Sequence, residues 1–161
     1  MLLLIGYGNT LRRDDGLGPR VADTIAALAL PGVRALPCAL LTPELAEPIA
    51  RARVVIFVDA AVDAPRQVQL RKLHPADASG SLTHAPDPRT LLALARDLFG
   101  HAPEAWCLTI PIENLGLGEE LSPLARRGFE IAVQKIKKRA AQVRSGKSGH
   151  SPDFGIGSEA L

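Results

Sequence analysis

Residues 6–18 read Gly-Tyr-Gly-Asn-Thr-Leu-Arg-Arg-Asp-Asp-Gly-Leu-Gly and follow directly on the apolar run Met1–Ile5. This junction constrains the chain more than any other stretch. A continuous apolar run that ends in glycine marks a strand covered on both faces. Glycines at 6, 8, 16 and 18 imply tight turns or a close approach of backbone that a side chain would block. From Pro19 the pattern turns helical, with Val21, Ile25 and Leu28 on one face and Pro31-Gly32 as the stop. A covered strand, a glycine loop and a helix are the opening of an α/β sheet.

The rest of the chain extends that pattern. Val33–Ala39 reads as a second strand. Thr42-Pro43 reads as an N-cap followed by proline at the first helical position, ahead of a short helix that buries Leu45 and Ile49. Val54–Val58 is a β-branched strand ending on Asp59. Too few residues separate it from Val68–Leu73 for a parallel crossover of about a dozen residues, so these two are expected to be antiparallel neighbours. Asp87-Pro88 repeats the cap signature before a helix carrying Leu91, Leu94, Ala95 and Leu98, with Gly100 beyond its end. Ala105–Ile110 is a further strand. Ser122-Pro123 caps a last helix whose face is Phe129, Ala132, Val133, Ile136 and Ala140, with Lys135, Lys137, Lys138 and Arg139 mostly off that face. The order β-α-β-α-β-β-α-β-α predicts a three-layer α/β sandwich, a mostly parallel twisted sheet of about five strands with helices on both faces. One domain is expected over residues 1–144, followed by a disordered Gly/Ser-rich tail over residues 145–161.

Composition narrows the function classes. With 161 residues, 47% of them apolar and 22% charged, the chain can build one core and is not generally disordered. No apolar run approaches the ~18–20 residues of a membrane span, and Met1–Ile5 lacks the basic flank of a signal peptide. The two cysteines, Cys38 and Cys107, make no disulfide framework, so a cytoplasmic location is expected. Both lie in or beside apolar strands and read as core rather than nucleophile. Residues 121–161 carry 8 basic and 3 acidic residues, whereas residues 1–120 carry 11 and 14. The positive excess thus lies away from the glycine loop. That placement and 4% aromatic residues argue against a nucleic-acid partner.

In open α/β sheets, ligands sit beyond the carboxyl ends of the strands. That rule selects the glycine loop, Asp59, and the segment between Leu73 and Asp87. The loop is not a dinucleotide fingerprint. Leu11 stands where the third glycine of G-x-G-x-x-G belongs, and Asp14-Asp15 would repel a pyrophosphate at the helix start. Asp14 or Asp15 alone reads as a helix cap, but capping needs neither four glycines nor Asn9. A carboxylate at the end of an apolar strand, as at Asp59, must be solvated, paired or coordinated; a plain turn residue is the competing reading. Of the histidines, His84 lies at the ligand-binding edge just before a capped helix, while His74, His101 and His150 sit in less informative places. Asp15, Asp59 and His84 together form an oxygen/oxygen/nitrogen set suited to a divalent transition metal such as Ni²⁺ or Zn²⁺, or to acid–base work. No H-E-x-x-H, G-x-S-x-G or Walker loop is present.

The pattern Gly6-x-Gly8-Asn9-x-Leu11-x-x-Asp14-Asp15-Gly16-x-Gly18, then Val58-Asp59-Ala60, then Thr83-His84, resembles the NiFe-hydrogenase maturation endopeptidases. The resemblance runs over about residues 1–140, through Pro86–Leu98 and from Ile110-Pro111-Ile112-Glu113 to Leu121-Ser122-Pro123. It implies a peptidase that removes the C-terminal extension of a hydrogenase large-subunit precursor after nickel insertion. It also implies that Asp15, Asp59 and His84 are both the metal-contacting and the catalytic residues. Nickel would be carried by the substrate, with no permanent cofactor, and the enzyme is expected to be a monomer. The Pro/Ala-rich stretch after Asp59 and Ala85-Pro86-Asp87-Pro88 depart from many relatives, which suggests a different hydrogenase partner. Three ligands with open positions suit a metal presented by another protein. The residues leave two routes to an activated water: Lewis-acid chemistry of the metal, or Asp15 or Asp59 as general base. Competing readings are a Rossmann-like nucleotide- or cofactor-binding module, a non-catalytic hydrogenase chaperone, and an interaction protein with a basic tail.

Overall fold

The computed structural model describes residues 1–78 and 85–146. Its strands are β1 (Leu2–Tyr7), β2 (Val33–Cys38), β3 (Val54–Ala61), β4 (Gln69–Leu73) and β5 (Glu104–Pro111). Its α-helices are α1 (Leu17–Ala27), α2 (Ala46–Arg51), α3 (Pro88–Phe99) and α4 (Pro123–Arg144). Short 3-10 turns, Arg13–Gly16 and Pro43–Leu45, lead into α1 and α2. The sheet runs β2-β1-β3-β5-β4, with β4 antiparallel to β5 and all other pairs parallel. The expected α/β sandwich is therefore the observed fold.

Alternation along the strands builds two cores. Leu2, Leu4, Val54, Ile56, Val58, Leu108 and Ile110 point to α1 and α4. Leu3, Ile5, Val55, Phe57 and Ala105 point to α2 and α3. A central strand buried on both faces needs apolar residues at every position, which is why β1 and β3 read as unbroken apolar runs. Gly6 and Gly18 let α1 lie directly on the sheet: a Cβ on Gly6 would run into the Gly18 carbonyl, and one on Gly18 into the backbone of Tyr7.

Most caps behave as their sequence predicts. Asp87 accepts from the Thr90 amide at 2.7 Å, and Gly100 closes α3 in the left-handed region at φ 75°. Ser122 Oγ accepts from the Ala125 amide at 3.1 Å. Thr42 does not cap: it makes no such bond, because the chain first enters a 3-10 turn whose opening differs from that of an α-helix.

Three further expectations are corrected. Val68–Leu73 and Val54–Val58 are not neighbours, because β5 inserts between them. Loop length limits orientation but not adjacency. β5 is apolar enough for the interior, whereas the exposed Arg71 and Lys72 suit β4 to an edge. Because β4 is antiparallel, the chain leaves it at the amino edge of the parallel strands, not at the ligand-binding edge. It then returns alongside α3, where the Ala76 amide donates to the Arg89 carbonyl at 3.0 Å and Arg89 Nε to the His74 carbonyl at 3.1 Å. Finally, Arg139 does not lie off the buried face: it is 5% exposed, pairs with Glu104, and lies 4.7 Å from the Trp106 ring centroid. Trp106 Nε1 donates to the same Glu104 carboxylate at 2.7 Å. Its aliphatic stem shares the buried stripe while the guanidinium finds a carboxylate at the sheet edge. The tail beyond residue 146 lies outside the described residues.

Removing one partner of a buried pair strands the other charge. Glu104 keeps its tryptophan donor and some solvent contact, so Arg139→Met is expected to cost about 2–3 kcal/mol in urea unfolding. Adding Glu104→Gln should recover part of that loss, because the stranded charge is then gone.

Candidate active site at the carboxyl edge of the sheet

The glycine loop turns back over the ends of β1 and β3. Gly8 has φ 143°, and a Cβ there would meet the Asp15 carbonyl. Glycine is thus required both by conformation and by contact. Asn9 organises the turn: its Oδ1 accepts from the Leu11 amide at 2.9 Å, and its own amide donates to Asp15 Oδ2 at 3.0 Å. The Asp15 side chain is thereby held at the rim, half-buried.

Asp14 points the other way. It is 0% exposed and accepts from the amides of Glu113 (3.1 Å), Asn114 (2.9 Å) and Ser122 (2.8 Å) and from Ser122 Oγ (2.7 Å). Burial alone would raise its pKa, but these donors outweigh it and hold the carboxyl below its usual range. Asp14 therefore serves the start of α4, not α1, and the adjacent aspartates have separate tasks.

Asp59 continues β3 beyond the core, opposite Thr109 of β5. Burial pushes its carboxyl above the usual carboxylate range. The Tyr7 hydroxyl, which donates to it, pulls it back; the charge of Asp15 adds to the rise, and the Ala60 amide opposes it. The charge of Asp15 thus reaches Asp59, and like charges at one edge favour a cation between them. Tyr7 is pushed far up, first by burial and then by the charge of Asp59, so its phenol remains a donor. Cys107 rises through burial, with the charge of Asp59 adding and Thr109 opposing; its Sγ lies 3.7 Å from Thr109 Oγ1. Asp87, at the start of α3, acts electrostatically on Tyr7 as well.

Asp15 and Asp59, proposed from sequence, thus meet at one edge. The third member, His84, lies outside the described residues, and Ala85 is the first residue described after it. Among the described residues no group of three or more His, Cys, Asp or Glu side chains could hold a metal. Asp63 and His74 do not join the site's hydrogen bonds. Tyr7 and Thr109 were missed from sequence, although each carried a signal: Tyr7 is the only tyrosine in the chain, and Thr109 interrupts an apolar strand.

Because the folded-state pKa of Asp14 is depressed, its stabilisation is complete above the unfolded value of about 3.9 and is lost as pH falls through the lower folded value. Asp14→Asn should cost about 3 kcal/mol at neutral pH, since an amide turns donors toward donors. Urea unfolding measured between about pH 2 and 5 should show a steeper loss on acidification for wild type than for the variant.

Comparison with known proteins aligns most of the chain with several solved hydrogenase maturation proteases. The NiFe-hydrogenase maturation protease HycI from Thermococcus kodakarensis superposes with a TM-score of 0.68 at 24% identity, over 87% of this chain and 92% of that one. The hydrogenase maturating endopeptidase HybD from Escherichia coli gives 0.64 at 25% identity, over 90% and 93%. A hydrogenase 2 maturation peptidase from a Thaumarchaeota archaeon gives 0.65 at 24% identity, over 87% and 97%. No protein-family model and no curated protein matches the chain.

Proposed function

We propose that this chain is an endopeptidase of NiFe-hydrogenase maturation, which removes the C-terminal extension of a large-subunit precursor once nickel has been inserted. The observation that carries the reading is the convergence of Asp15 and Asp59 at one sheet edge. That edge belongs to a fold shared, over nine-tenths of the chain, with a hydrogenase maturating endopeptidase at 25% identity. A fold alone does not specify an activity. Here the motif loop, the strand-end carboxylate and the shared architecture agree.

In this reading Asp15, Asp59 and His84 contact the nickel that the precursor presents, and the enzyme carries no resident cofactor. The two carboxylates at this edge attract a cation that relieves their mutual repulsion, so a nickel-free precursor docks weakly and keeps its extension. Metal recognition then acts as a checkpoint. Peptide hydrolysis also needs a proton acceptor for the attacking water. Burial and the charge of Asp15 raise the Asp59 carboxyl, and Asp59 takes that role. The Tyr7 hydroxyl and the Ala60 amide orient the Asp59 carboxylate toward the substrate. The protein works as a monomer in the cytoplasm. Among the described residues no helix is long and apolar enough to cross a membrane.

The test is cleavage of nickel-loaded precursor followed by mass spectrometry. Asp15→Asn, Asp59→Asn and His84→Gln should each lower processing at least a hundredfold while the melting temperature stays near wild type. Wild-type activity in any of the three would remove that residue from the site. Equal cleavage of nickel-loaded and nickel-free precursor would remove the checkpoint.

A further inference from the structure

Most exposed apolar residues of a folded domain are scattered and need no explanation. Three leucines at the carboxyl edge of this sheet are different. Leu11 is 64% exposed, Leu117 84% and Leu40 67%. Leu11 lines one depression, and Leu40 and Leu117 stand on the segments that adjoin it. A cavity of about 430 Å³ lies between residues 8–11 and residues 37–39, with Leu11 in one wall and Pro37, Cys38 and Ala39 in the other. Leu40 follows Ala39 directly. Leu117 is tied to the opposite rim, because the Gly118 amide donates to the Leu11 carbonyl at 3.0 Å.

The rim is rigid for reasons unrelated to the exposed side chains. The Arg13 amide donates to the Gly118 carbonyl at 2.9 Å, and Arg13 Nε donates to the Leu117 carbonyl at 3.0 Å. Arg20 bonds the Glu119 carbonyl, and Asp14 holds the two ends of the same segment through Glu113, Asn114 and Ser122. Backbone and buried polar groups thus hold leucines out into solvent, which lowers the ordering cost of any partner that covers them.

We infer that this leucine rim and the cavity it borders are the docking surface for an extended, apolar polypeptide segment of the nickel-loaded precursor, flanking the bond that is cut. The inference rests on the proteolytic reading above. Continuity with the carboxylate site selects the occupant: Asn9 lines the cavity, and its amide holds Asp15. A chain that brings its metal to Asp15 therefore passes over Leu11. The lining includes the carboxylate of Asp23, which disfavours an acidic segment. β2 is the open edge of the sheet here, but Pro37 lacks an amide donor, so the segment is gripped by apolar side-chain contact rather than added as a further strand.

The experiment titrates nickel-loaded precursor onto immobilised wild type, Leu11→Asp, Leu117→Asp and Leu98→Asp, and follows cleavage in parallel. Leu98 is 65% exposed at the end of α3, away from the rim, and serves as the matched control. Leu11→Asp and Leu117→Asp should each weaken Kd at least tenfold and raise KM in parallel, while Leu98→Asp binds and cleaves as wild type does. Melting temperatures verify folding, and Leu117, the most exposed position, keeps the test valid should Leu11→Asp prove unstable. Wild-type Kd values for both rim variants, an equal loss for Leu98→Asp, or a precursor that does not bind wild type would each overturn the docking surface. Precursor that binds wild type but stays uncut would overturn the proteolytic reading instead, with docking still decided by the same Kd values.

Discussion

The buried carboxylate of Asp14 is the tie on which the working end of this protein depends. Its donors come from the start of the β5–α4 connection and from the first turn region of α4, about a hundred residues away in sequence. A buried charge is tolerated only when it is fully hydrogen-bonded, and here the donors are mostly backbone amides that cannot be exchanged for other side chains. The 3-10 turn that carries Asp14 also carries Asp15. Fixing one aspartate inward therefore fixes the direction of the next one outward. The site's geometry is thus a by-product of how α4 is capped.

At the edge itself, electrostatics is arranged by contrast. Asp14 is surrounded by donors, which hold its carboxyl low; Asp59 has fewer donors to offset its burial and a like charge nearby, and is pushed the other way. Tyr7 answers that tension by staying protonated and donating. Such separation of carboxylate environments is how one fold keeps one acid group structural and makes another available for chemistry.

How much of this was readable from sequence follows from the range of each interaction. The strand–loop–helix opening was legible because glycine spacing and unbroken apolar runs are local signals. The caps at Asp87 and Ser122 were legible for the same reason, whereas Thr42 failed because its context chose a 3-10 turn. The meeting of Asp15 and Asp59 followed from the rule that strand ends converge at one edge. The place of β4 did not, because a sheet position is decided by competition between strands for the interior, not by the length of a connecting loop. Arg139 was misread because its partner, Glu104, lies 35 residues away, and a helical face pattern sees only the helix. The task of Asp14 was hidden by the same distance in sequence.

The stacking of Arg139 on Trp106 has one more consequence. Trp106 is the only indole in the chain, and it lies near the amino end of β5, across the sheet from the aspartates. Its emission is therefore a reporter of one end alone. Ultraviolet fluorescence will register the loosening of α4 from the sheet margin while remaining dark to events around Asp15. The lone tyrosine, Tyr7, stands at the other end, so the two chromophores divide the molecule into separately observable halves.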